Sequence, residues 1–164
     1  MNYKKIISMG CVAIFVCTVA LAQDNKYIGA AKCKLCHNNP EKGEQFKKWS
    51  ESKHANSMKV LSAEEAKNPK CLKCHSTAAA AGEGLIETIT IEEGVSCESC
   101  HGPGSAYKVI NIMKDRSLSM SKGLIIPKEK VCRKCHNEES PNYKGFNFDE
   151  YFKKITHPNP TKAK

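Results

Sequence analysis

Residues 95–104 are Val-Ser-Cys-Glu-Ser-Cys-His-Gly-Pro-Gly, and they contain the pattern on which the structure of this chain depends. A histidine directly follows two cysteines that are separated by two residues, and Gly-Pro-Gly follows the histidine. The Cys-x-x-Cys-His core occurs four times in the chain, so its copies need a common chemical cause. We number them motif 1 (residues 33–37), motif 2 (71–75), motif 3 (97–101) and motif 4 (132–136).

The spacing within each motif is that of covalent haem attachment. In a helical turn, residues i, i+3 and i+4 share a face, so Cys97 and Cys100 can bind one macrocycle while His101 lies under its centre. This is how c-type haems are attached, with the histidine as the proximal iron ligand. Residues 102–104 end the helix with small residues that can lie close to a neighbouring ring. The spacing therefore predicts four c-type haems, attached to Cys33, Cys36, Cys71, Cys74, Cys97, Cys100, Cys132 and Cys135, with proximal ligands His37, His75, His101 and His136.

The composition indicates a chain that needs a cofactor for its core. Leu, Ile, Val and Phe make up only 23 of the 142 residues after residue 22, a proportion typical of disordered chains. Disulfides and structural zinc are two alternatives that would use the same cysteines. Both leave the four adjacent histidines without a role. We therefore favour haem, whose macrocycle supplies the missing apolar surface.

Residues 1–22 have the pattern of a secretory signal peptide, with lysines, an apolar run and a final Ala-Leu-Ala. A membrane anchor is a weaker alternative because the run is shorter than the ~20 residues that span a bilayer. A lipoprotein anchored through Cys11 is weaker still, since little apolar sequence precedes that cysteine. We expect a periplasmic or otherwise exported chain that begins at Gln23 and forms one haem-binding domain over residues 23–164.

The charge of the chain indicates its partners. Cleavage of the leader removes two lysines and no acids, which changes the formal net charge from +9 to +7. A basic surface favours an acidic protein, a nucleic acid or a membrane. Export makes nucleic acid the least favoured of these, and we expect no stable membrane insertion after cleavage. Acidic electron-donor and electron-acceptor proteins are the partners that we predict.

His54 and His157 lie outside the motifs and are candidate distal iron ligands. Because the mature chain has six histidines for the eight axial positions of four irons, at most two haems can be bis-histidine. Methionine is another axial ligand and raises the reduction potential. Met113 is the best-placed methionine because it follows motif 3 on a helix predicted over residues 105–116. The other candidates are Met58 and Met120.

The remaining pattern predicts a mainly α-helical, haem-packed domain with little β structure. An apolar face over residues 148–155 precedes His157. Phe46 and Trp49 recur at helical spacing ahead of His54. Residues 78–84 suggest a flexible turn, and residues 85–91 alternate as in a short β-ribbon. These elements connect the motifs without forming a regular repeat.

The segments around the motifs resemble the tetrahaem cytochrome c-554 family. The matching segments are Trp49-Ser-Glu-Ser-Lys-His54-Ala, residues 94–104 and Phe146-Asn-Phe148-Asp-Glu. The resemblance covers nearly all of the mature chain. It implies a helical fold with haems in close stacked pairs and a role in periplasmic electron transport.

The resemblance also implies a ligand set. His54 would bind the third haem opposite His101, and His157 the fourth opposite His136, while the iron at His75 would be five-coordinate. The distal histidine that the family supplies to the first haem is missing here, since residues 105–122 contain none. Met113 is the expected substitute opposite His37.

Three functions are compatible with these features. The leading one is an exported tetrahaem cytochrome that relays electrons between redox partners through closely packed haems. An alternative is an enzyme that reduces nitric oxide or a related nitrogen species at an open iron above His75, although the sequence shows no acid–base constellation for it. A further alternative is a subunit of an extracellular haem wire.

Overall fold

The computed structural model describes residues 25–160, whose regular structure is mainly helical. The predicted signal peptide, residues 1–22, and the predicted start at Gln23 lie outside the described residues. None of the described helices is long and apolar enough to cross a membrane. The helices are α1 Ala30–His37, α2 Gln45–Ser50, α3 Pro69–His75, α4 Thr77–Ala81, α5 Cys97–His101, α6 Ile110–Met113, α7 Arg116–Ser121, α8 Glu129–Cys132 and α9 Phe148–Ile155, with 3-10 turns at Pro40–Lys42, Ser57–Val60, Glu65–Lys67, Glu83–Leu85 and Ile91–Glu93.

The β-ribbon predicted over residues 85–91 is wrong. Within the described chain, this region forms only an isolated parallel bridge between Tyr27 and Ile86. The next parallel bridge would need the Gly29 amide to donate to the Glu87 carbonyl, but this amide donates to the carboxylate of Glu98 at 2.8 Å. Because the backbone donor is diverted to a side chain, the bridge does not propagate into a ladder.

Two other local predictions differ from the structure. Of the helix predicted over residues 105–116, only α6 forms, and the next helix, α7, begins at the end of that range because Asp115 has an extended conformation and caps it. Its side chain accepts a hydrogen bond from the Leu118 amide at 2.9 Å. The predicted turn over residues 78–84 begins within α4, which Ser76 caps by accepting from the amide of Ala79.

The protein part of the core is small and unusually polar. The buried side chains of the described residues include Ser76, Ser96 and Ser119, and Glu98 is the largest of those that are almost fully buried. The buried apolar residues of that part of the chain are Ile28, Ala30, Ala78, Ile89 and Tyr107. So little buried apolar surface leaves chain entropy poorly offset unless another apolar group completes the core.

Candidate haem-binding site

The four motifs lie as two neighbouring pairs. The thiol of Cys33 in motif 1 interacts with that of Cys97 in motif 3. In the same way, the thiol of Cys74 in motif 2 interacts with that of Cys135 in motif 4. None of the eight cysteines in the described chain forms a disulfide. Motif 1 is therefore next to motif 3, and motif 2 next to motif 4, while Cys100 of motif 3 also interacts with the cysteines of motif 4.

An ion pair reinforces the second pairing. Lys73, inside motif 2, contacts Glu139, which follows motif 4 by three residues. Both side chains are well exposed, so water screens the pair and its contribution to stability is small. It nevertheless joins the segments that carry the two motifs.

Several motif thiols lie in surroundings that disfavour a negative charge. Burial raises the pKa of Cys100 to about 11 and that of Cys135 to about 12. The contact with Cys33, together with burial, also raises the pKa of Cys97. These positions favour an uncharged sulfur, as a neutral thiol or as the thioether that haem attachment would produce.

Four of the histidine rings face one another in two pairs. The ring centres of His54 and His136 lie 6.0 Å apart, and those of His101 and His157 also lie 6.0 Å apart. An iron bound by an imidazole nitrogen on each side, at the ~2 Å typical of histidine–metal bonds, would hold two ring centres about 6 Å apart. The spacing therefore fits one iron between the rings of each pair.

This arrangement corrects the pairing that the family resemblance implied. His54 faces His136 of motif 4 and not His101, and His157 faces His101 of motif 3 and not His136. The backbone places the rings in this way: a hydrogen bond from the Val95 amide holds the His54 carbonyl beside the chain ahead of motif 3, and the segment after α9 brings His157 to motif 3.

Three histidines are oriented by backbone carbonyl groups. The Nδ1 atoms of His75, His101 and His157 lie 2.8, 3.1 and 2.9 Å from the carbonyl oxygens of residues 57, 125 and 155, respectively. A carbonyl can only accept, so Nδ1 must carry the proton and Nε2 has a free lone pair. That tautomer presents Nε2 to a metal, with the hydrogen bond fixing the ring.

The rings are also kept uncharged by their surroundings. Burial is the main cause that lowers the pKa of His54, His101 and His136. A neighbouring histidine lowers the pKa of His54 further, and Arg133 lowers that of His136. All three are therefore neutral at neutral pH, which is the form that binds iron.

Two carboxylates join motif 1 to the segment that carries motif 3. Glu98, inside motif 3 and 2% exposed, accepts hydrogen bonds from the amides of Ile28 and Gly29 ahead of α1, and from Gly104 after α5. Glu93 accepts from the amide of Ala30 at 2.8 Å. These amides at the start of α1 have no helical acceptor. The carboxylates satisfy them and fix the relative positions of two haem motifs.

The His54 segment is held against the chain ahead of motif 3. The indole Nε1 of Trp49 donates to the Val95 carbonyl at 2.9 Å, and the Val95 amide donates to the His54 carbonyl at 3.1 Å. Gly94 has φ 75° and ψ −145°, a conformation open almost only to glycine. A Cβ added there would lie 2.7 Å from Ser57 Oγ and 3.0 Å from the His54 oxygen.

Gly94→Ala is therefore expected to destabilise the protein by ~2 kcal/mol and to disturb His54, a candidate iron ligand. The measurements are urea unfolding and low-temperature electron paramagnetic resonance of the haem-loaded protein. Gly82→Ala is the matched control because Gly82 also has a positive φ in a region that favours glycine, φ 83° and ψ 151°, with no atom near its added Cβ. Equal effects of both changes on the resonance signals would contradict the steric argument.

The Gly-Pro-Gly sequence after motif 3 is explained by protein contacts. Gly102 has φ 77°, and a Cβ there would lie 2.7 Å from the carbonyl oxygen of Gly123. At Gly104 a Cβ would lie 2.9 Å from Ile28 and 3.0 Å from the Glu98 carboxylate. In the described chain these glycines admit close backbone and side-chain neighbours. The sequence analysis instead explains their small size by a neighbouring haem ring.

The methionine candidates lie near the end of α6 and on α7. Met113 is half-buried, and its sulfur lies 3.9 Å from the hydroxyl of Ser119. Met120 is 48% exposed, and Met58 lies in the 3-10 turn after His54. Ligation by any of these methionines stays a prediction.

Haem suits this donor set better than a bare metal ion. Among residues 25–160, no three His, Cys, Asp or Glu side chains are grouped so as to hold a metal ion. Haem iron takes only its axial ligands from the protein. Each facing pair of neutral imidazoles would provide both axial ligands of one iron. The motif cysteines would hold the macrocycle.

Comparisons with known proteins agree with this site. A model of the family described as cytochrome c554 and c-prime matches residues 32–102. Cytochrome c-554 of Nitrosomonas europaea is 28% identical over 180 residues, covering 87% of this chain and 73% of the relative. The solved structure of the reduced state of cytochrome c554 from the same organism is 26% identical, with a TM-score of 0.56, and covers 84% of this chain and 86% of that chain.

The helical fold, the repeated attachment motifs and the paired histidines define a multihaem c-type cytochrome. The matching family model, the relative and the solved structure all support the resemblance to the cytochrome c-554 family that the sequence predicts. They support an electron-transfer haem protein with covalently bound c-type haem. The predicted mainly α-helical fold with almost no strand is confirmed.

Sequence reasoning missed the residues that orient the ligands. The carbonyl of Ile125, which accepts from His101, has no sequence signal, because any residue supplies a carbonyl. Glu98 has a weak sequence signal, since it lies between two cysteines that would hold haem. A carboxylate is seldom buried unless it has partners. Phe146 was noted only as part of a family segment, yet its ring stacks on His136 at 4.7 Å.

Proposed function

We propose that this protein is an exported tetrahaem cytochrome that relays single electrons between redox proteins. When bound, each haem supplies a one-electron ferric–ferrous couple. The observation that carries the proposal is the pairing of the four motifs, 1 with 3 and 2 with 4, together with the two facing histidine pairs. Such an arrangement would keep neighbouring haems close enough for rapid electron exchange.

The ligand set that we propose follows the ring pairs. His101 and His157 would bind the haem of motif 3, and His136 and His54 that of motif 4. His37 and His75 would be the proximal ligands of motifs 1 and 2. We retain Met113 as the distal ligand for motif 1 and an open distal position at motif 2, both on the family resemblance.

Motif 1 offers a contact surface for an acidic partner. Leu35 is 83% exposed, the highest value among the exposed large apolar residues of the described chain. At 100° per residue, Leu35 lies on the face of α1 opposite to Cys33 and His37, so the haem of its own motif would not cover it. Lys32 and Lys34 flank it and are exposed. An apolar centre with basic neighbours suits a transient complex with an acidic redox protein.

Two measurements on the secreted, haem-loaded protein test this function. We expect intact-mass spectrometry to show a chain that begins at Gln23 and carries four haems. We also expect reduction by an acidic one-electron donor protein to become slower as ionic strength rises, because salt screens the attraction. An uncharged small reductant is the control and should show little salt dependence. Fewer haems would contradict the count, and salt-independent protein reduction would contradict an acidic partner.

A further inference from the structure

The histidine pair at motif 3 is oriented by hydrogen bonds on both sides. His101 donates from Nδ1 to the Ile125 carbonyl at 3.1 Å, and His157 donates from Nδ1 to the Ile155 carbonyl at 2.9 Å. The Ile125 amide in turn donates to the His101 carbonyl at 2.9 Å, so the contact is reciprocal. Both rings are therefore held at their edges by backbone acceptors.

The pair at motif 4 is oriented differently. The ring of His136 stacks on Phe146, with centres 4.7 Å apart and planes inclined by 18°. On its own side, Phe146 stacks on Tyr151 at 5.3 Å and 16°. Within residues 25–160, no protein hydrogen bond to the ring nitrogens of His54 or His136 is formed. Aromatic packing thus takes the place of the carbonyl acceptors.

Arg133 fixes the position of Phe146. Its guanidinium lies 5.0 Å from the centre of the Phe146 ring and donates to the Phe146 carbonyl at 2.9 Å. Three further bonds hold the guanidinium itself: two to the Glu129 carboxylate, at 3.0 and 2.8 Å, and one to the Tyr143 hydroxyl at 3.0 Å. A ring held in this way by its own backbone, a cation and a second aromatic ring is a rigid support for the imidazole.

The two kinds of contact have different electronic consequences. An imidazole that shares its Nδ1 proton with a carbonyl is a more basic ligand, and a stronger donor stabilises ferric over ferrous iron and lowers the reduction potential. Ring stacking fixes the orientation of the imidazole but does not involve its Nδ1 proton. Arg133, although paired with Glu129, lies near enough to the motif 4 ligand to disfavour added positive charge there, which favours the less positive ferrous state.

We propose that Phe146 is the positioning residue for His136, and that the iron at motif 4 consequently has a higher reduction potential than the iron at motif 3. This inference rests on the proposed function, because it requires the two ring pairs to be iron ligands. An electron shared between these two haems then resides mostly at motif 4, beside the half-exposed Tyr151.

The order of potentials is measured on the full haem-loaded chain. A redox titration followed by electron paramagnetic resonance should resolve two bis-histidine low-spin species. The double variant Cys97→Ala/Cys100→Ala, which removes the attachment site of motif 3, identifies one of them by its loss. Cys132→Ala/Cys135→Ala identifies the other. The species of motif 4 should be reduced first, at the higher potential. The reverse order, or equal potentials, would overturn the inference.

The role of Phe146 is measured with Phe146→Leu, which keeps an apolar side chain and removes the flat ring. We expect the resonance signal of the motif 4 species to shift and broaden, because its imidazole can rotate, while the motif 3 signal stays unchanged. Phe146→Tyr retains the stack and should restore the wild-type signal. An unchanged motif 4 signal in Phe146→Leu would refute the positioning role. If that variant does not fold, the wild-type order of potentials still decides the inference.

Results that contradict this inference can be distinguished from results that contradict the proposed function. If the wild-type protein carries fewer than four haems, or shows no bis-histidine signals, the proposed function is wrong. If four haems and both signals are present but the potentials are reversed, only the inference about Phe146 and its haem is wrong.

Discussion

Replacing His157 by methionine is expected to change the haem of motif 3 and to leave the haem of motif 4 unchanged. The ring centres of His157 and His101 lie 6.0 Å apart, so the loss of His157 would remove the proposed second ligand of the motif 3 iron. A methionine ligand raises the potential, here by on the order of 0.1 V within the ~0.8 V range that axial ligands span. Redox titration with electron paramagnetic resonance measures the change.

The matched variant is His54→Met. Because the ring of His54 faces His136, this substitution should raise the potential at motif 4 and spare motif 3. Each variant is also made in a chain that lacks one haem. In Cys97→Ala/Cys100→Ala, which has no haem at motif 3, His157→Met should produce no change in the remaining bis-histidine signal. A change in that remaining signal would support the pairing that the family resemblance implies, with His157 opposite His136.

This pairing illustrates what the sequence can predict and what it cannot. The attachment motifs are local, since all ligands of one attachment lie within five residues, and the helix period relates them directly. Distal ligands come from residues far away in the chain. His54 precedes its partner His136 by two intervening motifs, so its partner depends on how Trp49 and Gly94 place its segment. Spacing alone holds no information on that placement.

The same distinction separates correct from wrong predictions of helices. The predicted helix over residues 148–155 is α9, since its apolar face and its cap at Asn147 both act locally. The ribbon predicted at residues 85–91 is wrong because the carboxylate of Glu98, which lies outside that segment, takes the Gly29 amide that a second bridge would need. Alternation of side chains predicts a strand only where backbone partners are available.

Glu98→Ala is expected to cause the largest loss of stability of any single change outside the iron ligands. The buried carboxylate accepts from the amides of Ile28 at 3.0 Å, Gly29 at 2.8 Å and Gly104 at 2.6 Å. Alanine would leave these three donors buried without a partner, at about 1–3 kcal/mol for each group. A loss of several kcal/mol is comparable with the whole stability of a small domain. Urea unfolding of the haem-loaded protein measures it.

The control is Glu98→Gln, which keeps the shape and one carbonyl oxygen but replaces the other acceptor by an amide donor. It should lie between wild type and alanine, because one oxygen can satisfy only part of the three amides. Exposed Glu139→Ala should cost much less, since its ion pair with Lys73 is screened by water. If Glu98→Ala and Glu139→Ala were equally stable, the carboxylate would not be what fixes motif 1 to motif 3. The haems of those motifs would then owe their spacing to their own packing.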